Sequence, residues 1–316
     1  MYGNSCEFLK VMLTNNTLIS KSHVEPSFKR ILFLAPNLQR HGEGGLRKQG
    51  LFKSSHPEKP LVSIVTVVFN SAELIESTIL SILEQDYENL EFIVIDGGST
   101  DETVDIIKQY DHTIDYWVSE PDKGISDAFN KAVTLAAGDY LNFQGAGDYL
   151  LSSRVVSEMM EGVDAERDML VCARVQRVSE HDDKQVLWVA PKRYTPKFNK
   201  RSLLFRMSLP HQALFTHKKM FERYGLFDID NSFCMDYEHL LRAYRDFPAV
   251  KLKNIVFSAW REGGVGTDRT LDVLKEYGKI KMKNKVAPRF ILMLIECWTL
   301  FKYYIKQSLR LFRVSQ

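Results

Sequence analysis

Acidic and amide side chains recur where short apolar runs end. Asn70 and Glu73 follow Leu61–Phe69, and Asp96 and Asp101 follow Leu90–Ile95. Asp122, Lys123 and Asp127 follow Ile114–Val118, and Asp148 follows Asp139–Phe143. Carboxylates gathered in one place raise one another's pKa unless cations or hydrogen-bond donors offset them. A hard divalent ion, Mn²⁺ or Mg²⁺, held by one or two carboxylates and by phosphate oxygens is a natural resolution, and Lys123 adds a point charge suited to a phosphate. The chemistry this predicts is capture of a phosphorylated ligand. Asp96 capping a turn and Lys123 standing in solvent is the plainer reading for either residue taken singly; it is weaker for the whole set.

The elements that must position these groups alternate in type. Leu61–Phe69 is a β-branched apolar run of strand length, of the kind covered on both faces in a parallel sheet. Glu73–Gln85 then reads as a helix, with Ile75, Ile79, Ile82 and Leu83 on one face. Leu90–Ile95 is a second strand, and Ser99 with Glu102 has the spacing of a capping box opening the next helix. Ile114–Val118 and Asp139–Phe143 are further strands, with a helix over Ser126–Ala137 between them. This alternation predicts a doubly wound, mostly parallel α/β sheet, in which ligands bind at the carboxyl ends of the strands. Arg167–Arg177 and Gln185–Ala190 read as strands, Lys218–Tyr224 and Tyr237–Arg245 as helices, and the residues after Pro288 as one long helix. Upstream, Ile31–Ala35 could form a short strand. His41–Gly50 resembles a phosphate loop only loosely, and reads as a linker or capping segment.

The 316 residues are 45% hydrophobic and 26% charged, enough for a substantial core. A net charge of +2 argues against a nucleic-acid partner. That average hides a polarity: from Lys279 onward nine basic residues face one acid, Glu296, so the preceding 278 residues are net acidic. Lys302, Lys306, Arg310 and Arg313 share a helical face, with Phe301, Ile305 and Phe312 on another. Such a helix suits an anionic membrane surface, or packing on the domain or on a second copy of the chain. Four widely separated cysteines (Cys6, Cys172, Cys234, Cys297) fit no metal spacing and read as reduced thiols. With no signal-peptide pattern and no apolar run of spanning length, the expected location is cytoplasmic.

The motifs along residues 60–266 resemble, in order and in spacing, those of family-2 glycosyltransferases, GT-A-fold enzymes of bacterial surface polysaccharide synthesis. The resemblance rests on Val62–Asn70, Asp96-Gly97-Gly98-Ser99-Thr100-Asp101, Ser119–Ile125, Gly138–Phe143, Pro210–Phe215, Gly225–Asp228, Met235–Arg242 and Gly263–Val265. It implies a nucleotide-sugar half over 61–150, an acceptor half over 151–267, a lead-in over 1–60 and basic amphipathic helices over 268–316. It implies Phe69 beside the nucleobase, Asp96 on the base or ribose, Lys123 at the donor diphosphate, and Asp148 as the last acid of the metal motif. It makes Asp236 the general base of an inverting transfer, with Glu238 beside it. The motif reads Gly145-Ala146-Gly147-Asp148, so one carboxylate stands where members often have two or three acids or amides.

A nucleoside-diphosphate sugar, with UDP preferred, would thus donate to a hydroxyl of a lipid-linked glycan at the inner membrane face. A carboxylate must take the acceptor proton, and Asp236 suits that, although it could instead cap the helix starting at Tyr237. His211 is the next polar candidate, or a structural histidine. Gly145 and Gly147 motivate the rival reading, an inactive nucleotide-binding paralogue. A processive synthase would want several membrane spans, and a nucleotidyltransferase a basic glycine loop where Asn70–Glu73 stands.

Overall fold

The computed structural model describes residues 28–263 and 269–314, with side chains as far as residue 309. Cys6, Gly264, Val265 and the side chains of Arg310, Phe312 and Arg313 therefore lie outside the described residues. The strands are β1 (Gly42–Gly44), β2 (Val62–Val68), β3 (Leu90–Asp96), β4 (Tyr116–Ser119), β5 (Tyr140–Gly145), β6 (Tyr149–Leu150), β7 (Leu170–Val178), β8 (Val186–Ala190), β9 (Leu214–His217) and β10 (Val250–Arg261). The helices are α1 (Ala72–Leu83), α2 (Thr103–Gln109), α3 (Ile125–Leu135), α4 (Val155–Met160), α5 (Lys218–Tyr224), α6 (Met235–Arg242), α7 (Thr270–Lys283) and α8 (Arg289–Val314).

One sheet runs β1-β4-β3-β2-β5-β9-β7-β10-β6, with β8 added to β7. Every residue of β2 and β3 is buried, as their apolar runs require of strands covered on both faces. Strands β4, β3, β2 and β5 are parallel neighbours, and β9 then runs antiparallel to both β5 and β7. Ile75, Ile79 and Ile82 of α1 join Val104 and Ile107 of α2 and Met159 of α4 in one core; Phe129, Ala132 and Val133 of α3 join Phe221 of α5 and Phe227 in another. These two cores give the doubly wound α/β arrangement expected, with the helices at the carboxyl end of the chain added outside it. Register decides what the strands deliver. Val68 pairs with Asp96, Asp96 with Ser119, and Val67 with Gly145, so the carboxyl ends of four strands finish along one edge.

Two local expectations need correction. Ile31–Ala35 is not a strand: Ile31 N–H donates to Thr134 O and the Phe33 ring meets the Tyr116 ring edge-on, so this segment straps apolar side chains across α3. Ser99 does not cap α2, because its hydroxyl donates to Asp96 and accepts from Asn70 N–H, while Asp101 accepts from Thr103 N–H. The twelve-residue β10 carried no readable alternation. Register shifts at Leu252/Val256 and Val256/Ser258 break the period of two that marks a strand in sequence.

Residues 41–49 form β1, on the free edge of β4, and a 3₁₀ turn. The turn carries Arg47 to a fully buried ion pair with Glu91, 2.5 Å away. At the other end of the chain α7 packs on α6, with Tyr237 and Tyr277 ring centroids 4.5 Å apart. Gly278 lets α8 pass close by, since a Cβ there would stand 2.7 Å from the Glu296 carboxylate. Leu292 and Ile295 of α8 are buried, but farther along Trp298, Phe301, Tyr304, Ile305 and Leu309 are exposed. Among the described residues, no helix is long and apolar enough to cross a membrane.

Candidate active site

The loops after β2, β3 and β4 converge. Phe69, 59% exposed, lies beside Gly97, where an added Cβ would sit 3.5 Å from its ring and 2.6 Å from the Asp122 carboxylate. Gly97 thus lets the Asp122 carboxylate pack close to the backbone beside an exposed aromatic ring, and any side chain there would displace it. Asn70 has a left-handed backbone (φ 46°), which Asn tolerates better than most residues. Its N–H donates to Ser99 Oγ, and its side-chain oxygen accepts from Thr100 N–H at 2.8 Å, so it stitches the first two loops together.

Asp96 is wholly buried. It accepts from Gly98 N–H (3.1 Å), Ser99 N–H (2.9 Å) and the hydroxyls of Ser99 and Ser119, and so shapes the Gly97–Ser99 turn. Burial raises the pKa of Asp122, whose Oδ1 accepts from Gly124 N–H at 2.7 Å. Asp127 accepts from Lys123 N–H at 3.1 Å, which leaves the Lys123 side chain exposed at the rim; Glu73 is exposed in the first turn of α1.

Asp148 faces inward. Its two oxygens accept from Gly145 N–H (3.1 Å) and Arg261 N–H (3.3 Å), and burial raises its pKa to about 7. A lone carboxylate committed to two backbone amides, beside an arginine, does not fit a divalent ion in this arrangement. Among the described residues no group of three or more His, Cys, Asp or Glu side chains is placed to hold one. Arg261 is a cation that sequence reading missed, since it ends the strand whose bulges hide its pattern.

A second cluster lies across β5. The 3₁₀ turn His211–Ala213 is pinned by two buried amides: Asn142 donates to Gln212 O and Leu214 O (3.0 and 3.2 Å), and Gln144 donates to Gln212 O (2.7 Å). Phe143, between them in sequence, stacks on the His211 ring at 5.3 Å with 9° between planes. This sets His211 Nδ1 3.7 Å from Asp236 Oδ2, while Asp236 Oδ1 accepts from Tyr237 N–H at 2.7 Å. Burial lowers the His211 pKa, so the ring is neutral at pH 7, and its Nε2 is buried without a partner. Asp236 is the second residue of α6, not its cap; the approach to that helix is held by Glu276 of α7, which accepts from the N–H groups of Ser232, Phe233 and Cys234. Glu238 points elsewhere. It is buried and accepts 2.5–3.1 Å bonds from Arg242, which in turn donates to Tyr224 O and Leu226 O.

A parallel four-strand block with a crevice at its carboxyl edge, continued by antiparallel strands and flanked by a carboxylate–imidazole pair on a 3₁₀ turn and a helix, is the frame of a glycosyltransferase. The sequence profile described as "Glycosyl transferase family 2" matches residues 63–225. The chain is 26% identical over 247 residues to the PGL/p-HBAD biosynthesis glycosyltransferase of Mycobacterium bovis, covering 76% of this chain and 91% of that one. Two solved structures share the fold. Staphylococcus aureus TarS 1–349 in complex with UDP-GlcNAc has a TM-score of 0.56 at 14% identity, over 76% of this chain and 71% of that one. The mannosyltransferase PcManGT from Pyrobaculum calidifontis, in complex with GDP-Man and Mn²⁺, has a TM-score of 0.54 at 18% identity, over 80% and 78%. The chain belongs to glycosyltransferase family 2, and it is a glycosyltransferase with the GT-A fold anticipated from its motifs.

Proposed function

We propose that this enzyme is an inverting glycosyltransferase. It would move a sugar from a nucleoside-diphosphate donor, UDP preferred, to a hydroxyl of a lipid-linked glycan in surface polysaccharide synthesis. The observation that carries the reading is the Asp236–His211 pair, held beside β5 by Phe143 and by the amides of Asn142 and Gln144. The nucleobase lies on Phe69 and Gly97, and Lys123 meets the diphosphate. The acceptor hydroxyl gives its proton to Asp236 Oδ2 as its oxygen bonds to the anomeric carbon, and the bond from that carbon to the diphosphate breaks on the opposite face. His211, neutral and fixed by Phe143 and by the amides of Asn142 and Gln144, holds Asp236 in place. No step is routed through a metal, since the Asp148 donor set does not fit one. Two similar proteins support this reading: TarS 1–349 is solved in complex with UDP-GlcNAc, and the mycobacterial relative is a PGL/p-HBAD biosynthesis glycosyltransferase.

The deciding experiment is calorimetric titration with UDP, GDP and CMP, with and without Mn²⁺, followed by transfer assays with the matching donor. Binding of one nucleotide, and a product of inverted anomeric configuration by NMR, is the expected result. No nucleotide binding under any condition would sink it and leave the inactive-paralogue reading.

The exposed apolar stripe of α8, with Lys302 and Lys306 beside it, supports docking of residues 289–316 on an anionic membrane at its cytoplasmic face. Flotation with vesicles containing phosphatidylglycerol should recover the enzyme, and Lys302→Glu with Lys306→Glu should reduce recovery. If recovery is unchanged and the chain is dimeric in solution, the stripe is instead an interface between copies.

A further inference from the structure

A groove of about 840 Å³ runs along β7, bounded by the return from β8 and by the 198–210 segment. It opens where the β7 edge is free, between Cys172, the last residue paired to β9, and Val175, the first paired to β8. Arg174, Lys192, Arg193, Lys197, Arg206 and Lys253 line it, and no Asp or Glu does. None of these six cations joins a salt bridge among the described residues. The Arg174 guanidinium is held by two carbonyls, Pro191 O (3.0 Å) and Lys192 O (3.2 Å), which fix it without neutralising it.

Two stretches of the lining lead by contact or by sequence to residues of the candidate site. In one, Trp188 packs edge-on against Trp260 at 5.8 Å, and the next residue, Arg261, holds Asp148 through its N–H. In the other, Pro210 lines the groove and is followed by His211, the partner of Asp236. Phe69, Gly97, Asp122 and Lys123 take no part in it, so the donor crevice stays separate.

A seat for a neutral sugar chain calls for carboxylates and amides that accept from hydroxyls. This one offers cationic donors together with the aromatic faces of Trp188, Tyr194 and Phe198. Cations of one sign gathered around a concavity focus their field on an anion, and arginine's planar fork matches phosphate oxygens. We propose that the groove seats the acceptor and that this acceptor carries phosphate, as a diphosphate or phosphodiester next to the sugar or polyol that is glycosylated, with a ring stacked on Trp188. The proposal deepens the transferase reading and rests on Asp236 marking the acceptor side.

The test uses the full chain, saturated with UDP, and three probes: inorganic pyrophosphate, farnesyl diphosphate and a glycerol-phosphate trimer. It compares wild type with Arg193→Glu/Lys197→Glu, at two exposed positions, and with Trp188→Leu. Affinity for the best probe should fall roughly tenfold or more in the double charge variant, while UDP affinity stays the same. Trp188→Leu should weaken the probes without altering UDP binding. Tightest binding of farnesyl diphosphate identifies a lipid diphosphate as the source, and tightest binding of the trimer a polyol-phosphate chain; either supports the phosphate seat. UDP binding with no probe bound, or with probe binding unchanged in the charge variant, overturns the groove assignment and leaves the transferase reading intact. Probe binding that the charge variant abolishes, in a protein that never binds a nucleotide, would instead retain the groove and sink the transferase reading.

Discussion

His211 and Asp236 face each other at 3.7 Å although they come from different elements, a 3₁₀ turn clamped to β5 and the first turn of α6. The imidazole is buried and neutral, and one Asp236 oxygen is already held by Tyr237 N–H. The other oxygen is thereby turned toward the imidazole, in an orientation suited to accepting a proton.

Asp236→Asn should therefore lose transfer by about 10²- to 10⁴-fold, the range for a positioned general base, with nucleotide affinity and melting temperature close to wild type. Unchanged transfer would remove Asp236 from the mechanism. His211→Gln should give a smaller loss, since it disturbs the orientation of Asp236 and leaves the carboxylate in place.

Phe69→Ala tests the nucleobase shelf. The ring is mostly exposed, so folding should be unaffected. Stacking of a base on an aromatic ring contributes about 1–3 kcal/mol. Nucleotide affinity should drop by roughly five- to hundredfold in calorimetry. Equal affinities would place the base elsewhere.

Asp148 makes stability depend on pH. Its folded-state pKa is raised to about 7, above the ordinary carboxyl value, so between about pH 4 and 7 the native state binds more protons than the unfolded chain. The contribution is present at low pH and is lost as pH rises through that window, with a slope of up to about 1.4 kcal/mol per pH unit. Asp148→Asn should consequently gain stability relative to wild type from pH 4 to 7 and level off above. A difference in denaturation midpoint that stays flat over pH 4–8 would refute this.

Arg47 and Glu91 tie the residues before β2 to the sheet. Glu91 also accepts from Ser63 Oγ (2.5 Å) and Ala137 N–H (2.8 Å), so it is buried with every partner satisfied. Arg47→Met strands that charge and should cost about 3–5 kcal/mol in guanidinium unfolding. Adding Glu91→Gln should recover part of the loss; a double variant as unstable as the sum of the two singles would show that the pair is not coupled.

Glu276→Gln removes the carboxylate that anchors the segment leading into α6. Three N–H groups lose a charged acceptor, each such bond being worth about 1.5–3 kcal/mol. Hydrogen exchange over residues 232–237 should accelerate, and transfer should fall with it. Protection equal to wild type would mean that α6 holds its place without α7.

Much of the nucleotide half was legible in the sequence. The runs at Val62–Val68 and Leu90–Asp96 are apolar throughout because both faces of those strands are covered, and a parallel sheet then delivers Phe69, Gly97 and Asp122 to one edge whatever lies beyond. The other half was harder to read. Bulges in β10 erased its alternation, and with it any hint that Arg261 reaches Asp148, 113 residues earlier. Asp96 shows the same limit at a residue that was found: its type and place pointed to a ligand contact, while its four bonds to the Gly97–Ser99 turn and Ser119 appear only in the folded chain.

The sequence alone determined the sheet-forming block, its family and the set of polar groups at the strand ends, because periodic burial writes itself into local residue order. Only the tertiary structure decided which of those groups face inward, that Glu276 anchors the segment leading into the helix carrying Asp236, and that six cations dispersed between residues 174 and 253 line one groove. Hydrogen bonds and charge clusters between distant segments leave no period behind; they depend on how loops close, and loop closure is set by the packing of the whole domain.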